Sequence, residues 1–179
     1  MRLLNVYSLK FADFRDNDRP NYVIASHRWS ESEATYKDVR DGQNKNKAGY
    51  EKVLAFARFV KEKVSPIEWL WIDTCCINQD SEAELSYSIN LMFNWYRGSE
   101  LCLVYLEDIK DKEGYQSSVW FTRGWTLQEL LAPRLVVFAT KKWQIIGNKG
   151  SLFHRCDSIS AGADLARGIA TLTGIQSAF

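Results

Sequence analysis

The side chains best suited to chemistry lie close together in the segment 120–133. Glu129 is the carboxylate of this segment, and the indoles of Trp120 and Trp125 precede it by a few residues. A carboxylate beside two large indoles suits a flat, cationic or sugar-linked ligand. Glu129 is therefore a candidate catalytic residue, and Trp125 and Gln128 are candidate ligand contacts. The alternative is a surface glutamate on a helix that packs against the core.

A short helix is expected to carry Glu129. Gly124 permits a sharp approach to this helix, Thr126 begins it and Pro133 stops it. The pattern gives the helix an apolar side and leaves Gln128 and Glu129 to face elsewhere. The residues of the apolar side are Trp125, Leu127, Leu130 and Leu131.

Two further polar clusters follow apolar runs that are typical of strands buried on both faces. The run Tyr22–Ser26 leads into His27-Arg28-Trp29, and the run Trp69–Asp73 leads into a cluster that ends at Gln79. Ligands of parallel sheets lie beyond the carboxyl ends of the strands. The candidate ligand contacts in these two clusters are Ser26, His27, Arg28, Trp29, Asp73 and Asn78.

Strands and helices alternate along the chain, which predicts an α/β domain with a mainly parallel sheet flanked by helices and right-handed crossovers. Besides the two runs above, buried strands are predicted over 101–106 and 135–139. Residues 143–146 are expected to form a short strand or an edge. The first four residues are expected to be an extended lead-in, and residues 11–21 a polar loop.

Helical periodicity runs from residue 48 to residue 64, and Pro66 ends it. Ser81 and Glu84 have the spacing of a capping box before a second helical stripe. Between the first strand and the first helix, residues 31–47 are polar and end in a loop. A weak helix is expected over 161–172.

Composition restricts the class of protein. The chain has 179 residues, of which 46% are apolar and 25% charged, so we expect one soluble globular domain with a hydrophobic core. The net charge is +1 with scattered Lys and Arg, which argues against DNA binding and against a polybasic membrane anchor. No apolar run approaches the roughly 20 residues of a membrane helix, and the N-terminus does not resemble a signal peptide.

The cysteines are expected to be reduced thiols of an intracellular, cytoplasmic protein. They form no CxxC pair, and only His27 and His154 could assist them as metal ligands. Neither a metal site nor a prosthetic group is therefore expected. The cysteines are Cys75, Cys76, Cys102 and Cys156.

Three segments resemble the motifs of the fungal heterokaryon incompatibility (HET) domain. Residues 22–29 resemble its first motif, in which a tyrosine and hydrophobic residues precede Ser-x-x-Trp, and residues 71–79 and 121–130 resemble the second and third. The resemblance covers about residues 1–150. It implies a single domain in which 151–179 form a C-terminal helical extension or the start of a linker.

The resemblance also implies a role. Residues 48–50 and 93–97 look like the subgroup at the N-terminus of large incompatibility proteins that carry nucleotide-binding and repeat regions. HET domains trigger programmed cell death when genetically different hyphae fuse. We therefore expect the N-terminal module of a longer protein of fungal self-recognition.

HET domains are considered distant relatives of TIR domains, which have a flavodoxin-like fold and in many cases hydrolyse NAD. The catalytic glutamate of TIR domains lies in a Trp-Cys-x-x-Glu-Leu pattern on a helix. Residues 125–130 have the same spacing, with Thr126 in place of the cysteine. This likeness implies a flavodoxin-like sheet with extra family-specific segments, NAD as the substrate and Glu129 as the catalytic residue.

The leading hypothesis is cleavage of the N-glycosidic bond of NAD. Nicotinamide leaves as a neutral base from a cationic ring, so the reaction needs a carboxylate beside the ribose rather than a strong acid. Glu129 is the candidate for that role. Trp29 and Trp125 are candidates to stack on the rings, and Arg28 is the candidate to bind the pyrophosphate. The candidates to orient sugar or amide groups are Asp73, Asn78 and Gln128.

Other hypotheses remain open at this point. One alternative is a self-association module that uses the exposed surfaces of the helices 48–64 and 82–97. A Cys–His hydrolase would pair Cys75 or Cys76 with His27. Several candidates also have structural alternatives: Asp73 as a cap of the following loop, Trp29 and Trp125 as core aromatics, and Arg123 as an ion-pair partner of Glu129.

Overall fold

In the computed structural model, which describes residues 1–150 and 163–173, the chain forms one mixed sheet with helices between its strands. The strands of the described residues are β1 Arg2–Asn5, β2 Phe11–Asp13, β3 Tyr22–His27, β4 Trp69–Trp71, β5 Leu101–Leu106, β6 Val136–Thr140, β7 Ile145–Lys149 and β8 Ala163–Asp164. The α-helices are α1 Tyr36–Asp41, α2 Ala48–Lys63, α3 Asp73–Cys76, α4 Glu82–Arg97, α5 Thr126–Leu131 and α6 Ala166–Thr173. Short 3-10 helices cover Asp16–Asp18, Lys112–Ser117 and Val119–Thr122.

The four predicted buried runs form the centre of the sheet. β4, β3, β5 and β6 are parallel neighbours in that order, and every residue of β3 is buried, so both faces of β3 are covered. The chain passes from β3 to β4 on one side and then to β5 on the other. Strand order therefore reverses at β3. Open α/β sheets bind their ligands beyond the carboxyl ends of the strands at such a reversal.

The sheet as a whole is mixed, so the prediction of a mainly parallel sheet holds only for its centre. β1 is antiparallel to both β2 and β4, and β7 is antiparallel to β6. β8 adds a parallel pairing beyond β7. The prediction that 11–21 is a loop was wrong, because β2 lies within it. β2 has three residues and none is buried, so no apolar run marks it in the sequence.

The two long helices begin where the sequence places them. α2 packs one apolar side into the core. Ser81 caps α4, since its Oγ accepts a hydrogen bond from the backbone N–H of Glu84 at 3.3 Å. The Glu84 carboxylate does not complete the capping box. It accepts instead from the backbone N–H of Asn78 at 2.8 Å and from Arg2 at 2.7 Å, which connects β1 to the start of α4.

α1 lies in a segment that was predicted only as polar. Thr35 and Asp38 form a complete capping box at its start, and Gly42 ends it with a positive φ of 63°. Both signals are present in the sequence, as Thr-x-x-Asp followed by a glycine. Lys47 pairs with the buried Asp38 carboxylate at 2.8 Å. α1 lies in the connection between β3 and α2, and this ion pair joins it to the start of α2.

The C-terminal part is described only over α6 and β8. α6 begins inside the predicted helical stretch 161–172 and ends one residue past it. Residues 151–162 and 174–179, with His154 and Cys156 among them, lie outside the described residues. The extension over 151–179 stays a prediction. None of the helices described combines the length and apolar character that are needed to cross a membrane.

We expect Gly49→Ala to destabilise the fold by about 2 kcal/mol, because overpacking at a fixed backbone contact costs this much. The N–H of Gly49 donates to the Ser32 carbonyl at 2.9 Å, and a Cβ at Gly49 would lie 2.5 Å from backbone atoms of Ser32, Glu33 and Ala34. Calorimetry should show a lower Tm. Gly124→Ala is the matched control: a Cβ at Gly124 meets nothing within 4 Å, so equal losses in the two variants would contradict the expectation.

Candidate active site

Glu129 is buried, with 6% of its surface exposed, although it lies on a helix of only six residues. The predicted faces of α5 are therefore reversed. Trp125 is 55% exposed and Leu127 and Leu131 are also exposed, while Glu129 and Leu130 face the interior. The alternative of a surface glutamate was wrong as well. The helix buries its carboxylate where two polar side chains are hydrogen-bonding partners of each other and one of them donates to the carboxylate.

Those partners are Ser26 and Trp120. The indole N–H of Trp120 donates to Ser26 Oγ at 2.8 Å, and Ser26 Oγ donates to Glu129 Oε2 at 2.5 Å. An indole nitrogen can only donate, so the hydroxyl proton of Ser26 is directed to the carboxylate. The other carboxylate oxygen, Oε1, accepts no hydrogen bond from the described residues and is not fully enclosed. One oxygen is thus held by the protein, and the other has no hydrogen-bond partner among the described residues.

The fold brings these three side chains together from distant parts of the chain. Ser26 lies near the carboxyl end of β3, at the reversal of strand order. Trp120 is fully buried in the 3-10 helix that precedes α5, and its ring packs edge-on against Phe121 and Phe138. Ser26 was predicted as a ligand contact, but its hydroxyl is occupied by Trp120 and Glu129. The role of Trp120 was not predicted beyond its place beside the glutamate.

The surroundings of Glu129 raise the pKa of its carboxyl group from the ordinary 4.5 to about 7. Burial is the main cause, since a charge is poorly solvated there, and the negative charge of Asp73 acts in the same direction. The hydrogen bond from Ser26 and the positive charges of Arg123 and His27 work against it. Glu129 therefore exchanges its proton near neutral pH, which suits a group that takes part in acid–base or electrostatic catalysis.

Ser26→Ala should raise the pKa of Glu129 above 7, because it removes a hydrogen bond that favours the carboxylate. Titration of the Glu129 side-chain carbon by 13C NMR measures this directly. Ser99→Ala is a matched control, since Ser99 is also a buried serine but its hydroxyl bonds the Tyr96 carbonyl at 2.8 Å. A pKa that is unchanged in Ser26→Ala, or raised equally in Ser99→Ala, would contradict the expectation.

Arg123 and Gln128 do not have their expected positions. Arg123 donates to the backbone carbonyl of His27 at 2.8 Å and ties the segment before α5 to the end of β3. Within the described residues it forms no ion pair with Glu129, so that structural alternative was wrong. Gln128 contacts the sulfur of Met92 on α4 at 3.3 Å. The exposed Trp125 makes no hydrogen bond to the described part of the chain, and its part in ligand contact stays a prediction.

Trp29 and Asp73 form the second polar contact of the site. The indole N–H of Trp29 donates to Asp73 Oδ2 at 2.7 Å, and the backbone N–H of Thr74 donates to Oδ1 at 2.8 Å. Asp73 thus ties down the start of α3, as its structural alternative predicted. Trp29 is 44% exposed and is not a core residue. Trp29 follows the end of β3 by two residues, and its partner Asp73 lies near enough to Glu129 for its charge to raise the pKa of Glu129.

His27, Arg28 and Asn78 differ in their access to the site. His27 is buried and follows Ser26 on the strand, so its ring points to the opposite face, where it packs against Phe56. Its Nε2 lies 3.6 Å from the carboxylate of Glu33. Burial acts to raise the pKa of Glu33, but His27, Lys52 and the backbone N–H of Ser30 together lower it to about 2. Arg28 is exposed, whereas Asn78 is half-buried.

The Cys–His hydrolase was a wrong hypothesis. Cys75 and Cys76 are buried, and the pKa of the Cys75 thiol is raised well above its ordinary value by its hydrogen bond with Cys76 and by burial. Neither ring nitrogen of His27 has a hydrogen-bond partner within residues 1–150 and 163–173. The same part of the chain holds no group of three or more His, Cys, Asp or Glu residues that could bind a metal ion.

The chain is an α/β domain with a buried carboxylate beside the strand at which strand order reverses, which is where open α/β sheets bind their ligands. The family described as "Heterokaryon incompatibility protein (HET)" matches residues 22–118, and the chain belongs to this family. The chain is also 41% identical over 148 residues to the vegetative incompatibility protein HET-E-1 of Podospora anserina, a match that covers 74% of the chain and 11% of that protein. The chain thus spans about a tenth of that relative's length. No solved structure matches significantly.

The family match confirms the family resemblance of the motifs. It includes the strand with Ser26 and the contact between Trp29 and Asp73, and it ends before Trp120. Glu129 therefore lies outside the matched range. Its place in the site rests on its burial and on its hydrogen bond with Ser26.

Proposed function

We propose that this HET domain hydrolyses NAD to nicotinamide and ADP-ribose, with Glu129 as the catalytic residue. The observation that carries the proposal is the Glu129 carboxylate, which is buried at the reversal of strand order with one oxygen held by Ser26 and the other unbonded. A carboxylate in such a place can stabilise positive charge on a sugar far better than one in water. NAD develops that charge when its glycosidic bond breaks.

In the proposed reaction, the bond between C1′ of the ribose and the nicotinamide nitrogen breaks. The electron pair of the bond goes to the nitrogen, so nicotinamide leaves as a neutral molecule without being protonated. The oxocarbenium-like ribose is stabilised by the carboxylate of Glu129. A water molecule then adds to C1′, and its proton passes to Glu129 or to solvent. The products are nicotinamide, ADP-ribose and one proton.

Two exposed side chains are placed to bind the rest of the dinucleotide. Trp29 is 44% exposed and is bonded to the Asp73 carboxylate, so an aromatic ring can stack on its indole. Arg28 is exposed directly after β3 and is the candidate partner of the pyrophosphate. Asn78 remains a candidate contact for sugar or amide groups. Gln128 is a weaker candidate, because it contacts Met92. Trp125 faces solvent without a hydrogen bond to the described residues, and the proposed binding site does not include it.

The proposed kinship with TIR domains is supported by the order of the central strands. β4, β3, β5 and β6 are the second, first, third and fourth parallel strands along the chain. A flavodoxin-like sheet has the same order, 2-1-3-4, with its ligand at the first and third strands. In this chain those strands are β3 and β5, and Ser26 lies on β3. The antiparallel β1, β2 and β7 would then be family-specific additions.

We further propose that NAD loss is the death signal of heterokaryon incompatibility in the cytoplasm. The family description and the name of the Podospora relative both refer to incompatibility. Because the chain matches only 11% of that relative, other regions, such as nucleotide-binding and repeat regions, would control the domain. Depletion of NAD would kill a fused cell without any further toxin.

The test of the proposed activity is incubation of the purified chain with NAD, followed by chromatography of the products. Nicotinamide and ADP-ribose should appear in equal amounts. Nicotinamide adenine dinucleotide in its reduced form is the matched control substrate. Its nicotinamide ring carries no positive charge and is a poor leaving group, so it should not be cleaved. Intact NAD at every protein concentration, including artificially clustered protein, would refute the activity.

A second candidate function is self-association, and α4 and α5 favour it. α4 buries few of its side chains and exposes Ile89 and Phe93, while α5 exposes Leu127 and Leu131. The two helices touch through the contact between Gln128 and Met92. Exposed apolar side chains on adjoining helices suit binding to a second copy of the domain. On α2, the other predicted surface, seven of sixteen residues are buried and the exposed ones are mostly charged: Ala48, Glu51, Arg58, Lys61, Glu62 and Lys63.

Phe93→Glu tests self-association without altering the proposed catalytic residues. Sedimentation should show a smaller concentration-dependent mass for this variant than for the wild type. Glu51→Lys, an exposed charge reversal on α2, serves as the control. If NAD cleavage by the wild type rises more steeply than protein concentration and Phe93→Glu removes that rise, both candidate functions act together. Identical sedimentation of Phe93→Glu and wild type would exclude this surface.

A further inference from the structure

The indole of Trp29 is an exposed ring whose orientation is fixed from several sides. Its N–H donates to Asp73 Oδ2 at 2.7 Å, across 44 residues of sequence. The backbone on both sides of it is also held. The carbonyl of Arg28 accepts from Lys52 at 3.2 Å, and the N–H of Ser30 donates to Glu33 at 2.7 Å. An exposed aromatic side chain normally has several rotamers, so this one is unusually restricted.

Both carboxylate oxygens of Asp73 bind the protein. One accepts from Trp29 and the other from the backbone N–H of Thr74 at 2.8 Å. Each oxygen keeps one further acceptor site, but the position of the carboxylate is set by these two short hydrogen bonds. Asp73 is thus better suited to holding the indole than to orienting a sugar, the role for which the sequence made it a candidate.

Trp125 provides the contrast within the same region. It is more exposed than Trp29, at 55% against 44%, and its indole makes no hydrogen bond to the described residues. A free exposed ring loses rotamer entropy when it stacks on a ligand, whereas a tethered ring has already lost it. The two tryptophans therefore differ in preorganisation rather than in ring type.

We propose that Asp73 is a positioning residue that holds the Trp29 indole as the stacking surface for an aromatic ring of the dinucleotide. This inference rests on the proposed NAD substrate. Asp73 acts on binding through Trp29 and does not itself touch the ligand. Trp125 takes no part in ring recognition.

A double-mutant cycle tests whether Asp73 acts through the indole. Asp73→Ala and Trp29→Phe, which keeps a ring but has no N–H, should each raise the KM for NAD about two- to tenfold at pH 8, with a smaller effect on kcat. The KM of the double variant should not exceed that of the single variant with the higher KM. If the rises in KM of the two single variants multiply in the double variant, the proposal is overturned, because Asp73 would then act independently of the indole. Trp125→Phe should leave KM unchanged.

A second measurement does not depend on turnover. In 15N-labelled protein, Trp29→Phe identifies the Trp29 indole N–H resonance. Asp73→Ala, or Asp73→Asn if the alanine variant does not fold, should shift that resonance and accelerate its exchange with solvent, while the Trp125 resonance stays in place. A Trp29 resonance that does not respond would overturn the tether.

The same resonance separates the inference from the proposed activity. NAD added to a Glu129→Gln variant should shift the Trp29 signal and leave the Trp125 signal unchanged. That result supports the stacking surface even if wild-type protein fails to cleave NAD, in which case only the proposed activity fails. A shift of Trp125 alone, or no shift of Trp29 at millimolar NAD, would overturn the stacking surface even if cleavage is observed.

Discussion

Replacement of Glu129 by glutamine is expected to abolish NAD cleavage, with a loss of about a thousandfold or more in kcat. The amide is nearly the same size and can still accept the hydrogen bond from Ser26, so the site keeps its shape. What it lacks is the negative charge opposite the developing positive charge of the ribose. Nicotinamide release at saturating NAD measures the loss, and KM should change little.

Glu107→Gln is the matched control for this experiment. Glu107 directly follows β5 at the same edge of the sheet, and it interacts with Lys52 at 3.7 Å rather than with Ser26. Its replacement should leave kcat within about twofold. Normal turnover in Glu129→Gln would remove Glu129 from the mechanism. Equal losses in both variants would instead indicate a general effect of charge at this edge.

The pH profile of the wild type should have an acid limb set by Glu129. The carboxylate is the active form and its pKa in the ligand-free protein is about 7, so kcat/KM should fall about tenfold per pH unit below pH 7 and level off above it. Ser26→Ala should move the limb to higher pH, in line with its effect on the carboxyl group. A rate that is constant between pH 5 and pH 8 would contradict the assignment.

The centre of the fold was predictable from the sequence, and its edges were not. β3, β5 and β6 are continuous apolar runs because both faces of each strand are buried, and such runs are visible without knowledge of their neighbours. β2 is short and half-exposed, so its apolar pattern is no stronger than that of a loop. The predicted mainly parallel sheet failed at β1, β2 and β7, which pair antiparallel, because the apolar pattern of a strand does not reveal the direction of its neighbour.

The site was predictable in its residue types but not in its geometry. Glu129 was identified by its neighbours in sequence, yet the side of α5 that it occupies was predicted wrongly. A helix of six residues has fewer than two turns, so its apolar periodicity cannot decide which side is buried. The buried side is set by the hydrogen bond from Ser26, which lies 103 residues away, and by the hydrogen bond from Trp120 to Ser26. Long-range hydrogen bonds of this kind leave no local pattern.

The same Glu129→Gln variant should be more stable than the wild type above pH 7, by up to about 3 kcal/mol. The fold raises the pKa of Glu129 from 4.5 to about 7, so it favours the protonated form. The stabilisation from Glu129 is therefore fully present below pH 4.5, is lost as pH rises towards 7, and has gone above it. Glutamine is neutral at every pH and does not incur the cost of holding a buried charge.

Urea unfolding at pH 5 and pH 8 measures this difference. The advantage of Glu129→Gln should be large at pH 8 and small at pH 5, and Glu107→Gln should show no such dependence. If Glu129→Gln is less stable than the wild type at pH 8, or equally stabilised at both pH values, the raised pKa of Glu129 does not control the stability in this way. An enzyme site commonly reduces the stability of its fold. If the variant that loses NAD cleavage is also the one that unfolds later at pH 8, the lost activity cannot be attributed to unfolding, and the buried charge itself is the functional group.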